Sequence, residues 1–242
     1  MNYKPEELMI TVIARLLGEL KAYHVAVGAA SPIPGSAALL ARHMSGGRLR
    51  ASIIHGITNN PFTDGGREIF DCAGQGRIDV FFLGGVQIDG EANINLVGTG
   101  DYPRVDKRFP GSFGSAFMYF VVPNVILFRP EHTRRVFVPK VDFISAPGTS
   151  EPNVYRPGGP KALVTELCLM SFNPSLKRFR LESLHPGRTV EEVRDNTGFD
   201  FDTPNSVPIT EEPDTATLNL LRSTVSLQIS EIYPNFVHRV LN

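Results

Sequence analysis

The 242-residue chain has no tryptophan and two cysteines, and its charges nearly cancel, with 24 Lys and Arg against 25 Asp and Glu. Each shortage closes a class of function. A formal net charge of −1 gives no overall electrostatic pull toward nucleic acid or an anionic membrane. Cys72 and Cys168 lie far apart, with no Cys-x-x-Cys or Cys/His spacing. That pattern predicts free thiols in a reducing, cytoplasmic setting, with neither a disulfide framework nor a metal site. The longest apolar run, 116–128, is broken by Pro123 and Asn124 and is too short to cross a bilayer. Glu6 and Glu7 occupy the first turns in place of a basic start, so no secretory signal is expected. Gly98-Thr99-Gly100 lacks the third glycine of a dinucleotide fingerprint, and no Gly-Lys-Ser/Thr phosphate loop occurs. Ser112 is not flanked like a nucleophile elbow.

What is present is a chain 42% hydrophobic, enough for one large core, and a single domain over 1–242 is expected. Met9, Val12, Ile13, Leu16, Leu17 and Leu20 recur at helical spacing, predicting an amphipathic helix over 5–22. A strand at 24–29, a helix at 37–44 ended by Gly46-Gly47, a strand at 51–54, a helix at 66–74 and a strand at 78–83 follow. Strands apolar at consecutive positions imply cover on both faces, hence an α/β fold with a mostly parallel sheet flanked by helices. Further strands are expected at 125–129, 136–138 and 141–145. The runs 163–172 and 176–184, joined by Asn173-Pro174-Ser175, predict an antiparallel C-terminal hairpin. Thr189 and Glu192 read as a reciprocal capping box, 203–213 as a surface connection, and 215–223 as a last helix.

The chemistry-bearing stretches are three. Glycines directly after an apolar strand, as at Gly84-Gly85 and again from Gly111 to Gly114, allow tight turns and close backbone approach to a ligand; they also serve plain turns. Arg104, Lys107 and Arg108 form a basic cluster between them, suited to a carboxylate or phosphate or else a solvated loop. Arg50-Ala-Ser-Ile-Ile-His-Gly-Ile-Thr-Asn-Asn60 ends a strand in a polar loop, where His55 could act as general base or carbonyl polariser, or sit as a hydrogen-bonded loop histidine. Asn59 and Asn60 could orient a carbonyl, and Asn-Asn-Pro is equally a turn signal.

Gly84-Gly85-Val86-Gln87-Ile88-Asp89-Gly90-Glu91-Ala92-Asn93-Ile94-Asn95, Gly111-Ser112-Phe113-Gly114-Ser115-Ala116, Val164-Thr165-Glu166-Leu167 and Asn196-Thr197-Gly198-Phe199-Asp200 stand in this order. They resemble the small-subunit half of the family I coenzyme A transferases, above all the glutaconate CoA-transferase B subunit, with Ala92, Phe113 and Ser115 departing from the pattern. The resemblance implies the sugar-phosphate-isomerase/CoA-transferase-like fold and a β subunit in an α2β2 complex with a separate α subunit, while the charge balance and cysteine usage lead us to expect a cytoplasmic chain with no nucleic-acid or membrane partner. It implies no permanently bound cofactor, with coenzyme A entering as part of an acyl-CoA substrate. It assigns Gly84, Gly85, Gln87, Asp89, Arg108, Gly111, Ser112 and Gly114 to substrate and CoA binding.

In that family the strand before the Gly56-equivalent glycine ends in a nucleophilic glutamate; here the matching position is Ile54, a hydrocarbon beside His55. Covalent relay of coenzyme A needs a carboxylate at that point. The expectation is therefore an acyl-CoA enzyme with Ile54, His55, Asn59 and Asn60 at its catalytic strand end, working as a ring-opening or C–C hydrolase of steroid or alicyclic catabolism. The alternatives are a true CoA-transferase, an acyl-CoA decarboxylase subunit and a non-catalytic acyl-CoA-binding subunit.

Overall fold

A computed structural model describes residues 2–242, which pack into two compact units, 2–82 with 211–242, and 83–210. The first unit opens with helix α1 (Pro5–Glu19), which buries Met9, Val12, Ile13 and Leu17 as the stripe predicts and adds Leu8, Ile10 and Ala14. It ends three residues early. Lys21 takes a left-handed φ of +50°, Lys21 N donates to Gly18 O and Ala22 N to Leu17 O, a Schellman closure without the glycine that usually signals it.

Strands β1 (His24–Val27) and β2 (Arg50–Ile53) pair in parallel, and β1 also pairs in parallel with β3 (Val80–Leu83), giving the order β2-β1-β3. β1 and β3 are buried at all four positions, as strands covered on both faces must be. Helix α2 (Pro32–Met44) starts five residues before the expected 37, because Pro32 and Pro34 occupy first-turn positions whose N–H groups have no intrahelical partner to lose. Helix α3 (Gly66–Gly74) lies where the sequence places it.

The unit is completed from the C-terminal segment. The helix expected over 215–223 runs as Thr215–Leu220, a π-helical turn Leu221–Val225 and Ser226–Ile229, and a further helix, Pro234–Val240, follows. Leu218, Leu221, Val225 and Ile229 are all buried, so the apolar stripe itself carries past Ser223.

The second unit contains two small antiparallel ladders, β4 (Gln87–Ile88) with β5 (Ile94–Asn95) and β6 (Gly98–Thr99) with β7 (Lys107–Arg108). Helix α4 (Ser115–Val121) leads into β8 (Asn124–Arg129), which pairs in parallel with β9 (Pro160–Thr165). β10 (Cys168–Asn173) and β11 (Arg178–Leu184) continue the sheet antiparallel, in the order β8-β9-β10-β11, and helix α5 (Val190–Asn196) follows. The α/β class with mostly parallel strands and an antiparallel C-terminal hairpin is thus the observed one. Asn173 Oδ1 accepts from Ser175 N and Leu176 N, forming the hairpin's turn.

Several boundaries differ from expectation for local reasons. The run 163–172 is two strands, because Thr165 Oγ1 accepts from both Leu167 N and Cys168 N and reverses the chain there. Segments 136–138 and 141–145 are not strands: the first makes a single bridge, Phe137 to Ile88, and the second makes none, the bridge of Ala146 to Ile94 lying just past it. Thr189 caps Glu192 N at 3.1 Å, while the Glu192 carboxylate pairs with Arg188 at 2.7 Å, so the capping box closes on one side. The connection 203–213 is largely exposed yet tied to β11, since Leu184 N donates to Pro208 O and Thr210 N to Leu184 O. Among the described residues no helix is long and apolar enough to cross a membrane.

Candidate functional site

In the first unit, β2 hands the chain to a short closed loop. Ile54 N donates to Val27 O (3.1 Å), so position 54 is still tied to β1, and Gly56 N then turns back onto Ile53 O (3.1 Å). Between them His55 holds a φ of +73°, a left-handed conformation that costs a residue with a Cβ. Ile53 N donates to Asn59 O (2.7 Å) and shuts the loop. His55 is exposed, Ile54 and Asn60 half-buried, and Asn59 buried.

The four sequence-predicted residues therefore share one loop, with different duties. Asn59 Oδ1 accepts from Arg42 Nη1 (2.7 Å) on α2, and Asn60 Oδ1 accepts from Phe62 N (3.2 Å) in an Asx turn. His55 presents an imidazole to solvent next to a hydrocarbon side chain. Arg42, Gln228 and Glu231, which hold this loop, belong to no motif and give no sign in the sequence.

In the second unit, Gly84 and Gly85 follow β3. A Cβ at Gly85 would lie 2.7 Å from both Gln87 O and Ile94 Cγ2, so no side chain fits. Gln87 is buried; its Oε1 accepts from Asn95 Nδ2 (2.7 Å) and Asp142 N (3.0 Å), and its Nε2 donates to Asp142 Oδ2 (3.0 Å). The buried Asp89 carboxylate accepts from Glu91 N, Asn93 N and Asn93 Nδ2 at 3.0–3.1 Å. Asn95 fills all of its own capacity, donating to Gln87 Oε1 and Gly98 O and accepting from Val97 N and Gly98 N. Buried polar groups satisfied this completely act as a rigid frame. They fix the glycine turn after β3 and the β4–β5 ladder.

Arg108 is exposed on β7, and Lys107 Nζ lies 5.4 Å from the centre of the Phe109 ring. Gly111 takes φ +103°, Ser112 O accepts from Ser115 N (2.8 Å), and Gly114 caps α4; all three glycine-loop positions are half-buried.

The two tail segments singled out by resemblance meet at one buried histidine that sequence reasoning missed. Thr165 Oγ1, already accepting two backbone N–H groups, donates to His132 Nδ1 (2.8 Å). His132 Nε2 donates to Thr197 Oγ1 (2.9 Å), whose hydroxyl passes on to Val193 O (2.7 Å). Both ring nitrogens are satisfied in the neutral form, and burial pushes the imidazole down to about 4. Cys168 Sγ is 4.0 Å from Nδ1, and burial pushes that thiol up to about 12. An activated thiol–imidazole pair shifts in the opposite senses. This is a structural node, and His185 is a second: it bridges Thr165 O and Thr210 Oγ1 and is likewise lowered to about 4 by burial.

A fold with glycine turns after its strands, a closed loop at the end of β2 and the tail threonines clasping a histidine is matched over residues 7–196 by the model for coenzyme A transferase. The chain belongs to that family. It is similar to the B subunit of the 3-oxoadipate CoA-transferase of Pseudomonas knackmussii, 37% identical over 154 residues that cover 61% of this chain and 59% of the relative. It is also similar to the cholesterol ring-cleaving hydrolase IpdB subunit of Rhodococcus jostii, 31% identical over 169 residues covering 66% and 64%. These matches span less than two thirds of either relative's own length. Among solved structures, glutaconate coenzyme A-transferase from Acidaminococcus fermentans superposes with a TM-score of 0.80 at 24% identity, covering 97% of this chain and 96% of that one, a likeness of fold.

Proposed function

We propose that this chain is the β subunit of a heteromeric enzyme acting on a carboxylated acyl-CoA thioester, and that it hydrolyses a ring or C–C bond rather than transferring coenzyme A. One observation carries the reading: Ile54, tied to Val27 at the end of β2, offers no carboxylate to hold coenzyme A between half-reactions. The likeness to a ring-cleaving hydrolase subunit supports it. So does the exposed imidazole of His55 beside that position.

In the proposed reaction, His55 or a group of the α subunit takes a proton from water, and the resulting hydroxide adds to a ketone carbon of the acyl chain. When the tetrahedral adduct collapses, the C–C bond breaks and its electron pair moves onto the carbon alpha to the thioester, which is then protonated. The products are a new carboxylate and an opened acyl-CoA, and no covalent enzyme intermediate forms. We assign Gly84 and Gly85, fixed by the Gln87 and Asp89 framework, to backbone contacts with the thioester. Arg108, Gly111, Ser112 and Gly114 are assigned to the coenzyme A portion, which makes coenzyme A part of the substrate. The unpaired Cys72 and Cys168 suit a cytoplasmic enzyme.

The transferase reading has its own support in the 37% identity to a transferase subunit. Reconstitution with the α subunit and a panel of carboxylated acyl-CoA esters in H2(18)O separates the two. Hydrolysis places one heavy oxygen in the new carboxylate and leaves the thioester intact. Ping-pong transfer of coenzyme A to acetate, with borohydride-sensitive inactivation, would overturn the hydrolase reading.

A further inference from the structure

The loop that carries Ile54 and His55 is held from one side by a segment outside the stretch that matches the family model, 228–233. Glu231 lies in the turn between the last two helices, and its carboxylate receives three donors from this loop. Its Oε1 accepts from Ile57 N (3.0 Å) and Thr58 N (3.2 Å), and its Oε2 from Thr58 Oγ1 (3.0 Å). Gln228 Oε1 accepts from Arg42 Nη2 (3.2 Å), while Arg42 Nη1 grips Asn59. Tyr233 Oη accepts from Ser31 N (3.1 Å), just past the end of β1.

Packing closes the same contact. A Cβ on Gly56 would come within 3.1 Å of Glu231 Oε1 and 3.2 Å of Ile232 Cδ1, and one on Gly35 within 2.9 Å of Ile229 Cδ1. The segment thus lies against the carboxyl ends of β1 and β2 by hydrogen bond and by van der Waals contact at once. A carboxylate gathering neighbouring donors from one loop restricts it more than isolated bonds would, because the loop cannot shift without leaving several of them unmade.

We infer that Gln228–Tyr233 is a strap that sets the geometry of the β2-end loop, and that Glu231 is its positioning residue, holding the backbone on which His55 is displayed. The strap stands on the contacts alone; its bearing on turnover rests on the reading of this loop as the reacting site. A positioned catalytic group displaced by an ångström loses rate rather than affinity.

The test uses the assembled complex with Glu231→Ala and Glu231→Gln, read by amide hydrogen exchange and by steady-state kinetics on the acyl-CoA turned over. In Glu231→Ala the Ile57 and Thr58 amides are expected to lose protection by tenfold or more, with kcat reduced at least tenfold and KM changed less than threefold. Glu231→Gln keeps an acceptor oxygen and is expected to recover most of both. Unchanged protection in both variants would overturn the strap, even if no acyl-CoA is turned over. Lost protection with full kcat would overturn the positioning role. A Gln variant as inactive as Ala but fully protected would also overturn it, because Glu231 would then act chemically.

Discussion

The carboxylate of Glu7, wholly buried on α1, meets the guanidinium of Arg222 through two parallel hydrogen bonds, Nε to Oε1 at 2.7 Å and Nη2 to Oε2 at 2.8 Å. Arg222 stands in the π-helical turn, whose extra residue re-aims side chains relative to a regular helix. Glu7 Oε2 also accepts from Lys4 N at 2.8 Å, so both carboxylate oxygens are answered from within the protein.

Removing one partner alone should therefore be costly. Arg222→Met leaves Glu7 buried without its counter-charge, and a loss of about 3 kcal/mol is expected in urea denaturation. The double variant Glu7→Leu with Arg222→Met should recover most of that loss, since desolvation no longer has to be offset. Additive single losses in the double-variant cycle would show that the pair does not couple.

His132 and His185 make stability depend on pH. An unfolded histidine binds a proton near pH 6.5, while burial holds these two to about 4. Between those values the unfolded state binds more protons, so stability is fully present above pH 6.5 and is lost progressively as pH falls toward 4. At about 1.4 kcal/mol per pKa unit, the two sites together are worth several kcal/mol over that window. Unfolding free energies measured from pH 7 to pH 4.5 should fall steeply, and His132→Gln should flatten the slope by close to one proton while lowering stability at pH 7.

Asn95 offers a sharper test of the frame behind the glycine turn. Asn95→Asp keeps size and shape but replaces two donors with acceptors that face Gln87 Oε1 and Gly98 O, each 2.7 Å away. A loss of about 2–4 kcal/mol is expected by thermal unfolding, with Asn95→Ala less damaging because it brings no repulsion. Equal stability of Asn95→Asp and the native chain would mean that the frame does not fix the turn.

How much of this could be read from the chain depends on which physical signal each part carries. The consecutive apolar strands and the Gly46-Gly47 stop are local signals, and the α/β fold followed from them. The motif segments were recognisable, yet their meaning was not: Thr165 and Thr197 lie 32 positions apart and become intelligible only when His132 is seen between them. Gln87 and Asn95 signal polarity in an apolar stretch without showing that they bond each other and that Gln87 also bonds Asp142, nor does Asp89 show that it gathers the donors of Glu91 and Asn93. Glu231 gave no sign at all, because a charged residue near a chain's end has the same appearance whether it is solvated or bound to a loop 173 positions away. The Schellman closure at Lys21 hid for the opposite reason, since its usual marker, glycine, is missing.

His55 allows strain and chemistry to be separated in a single position. Its φ of +73° is natural for glycine and costly for a residue with a Cβ. His55→Gly should relieve that strain, offsetting the added freedom of the unfolded chain, and leave stability within about 1 kcal/mol of the native protein. His55→Ala keeps the strain and gains nothing in return, so it should be the less stable of the two. If the imidazole is the proton acceptor for water, both variants lose about 10²-fold or more in kcat regardless of their difference in stability. Exogenous imidazole should restore part of the rate in His55→Gly, where the vacated space lies open to solvent. A glycine variant that is stable and fully active would assign the proton transfer to the α subunit and leave His55 as a turn residue.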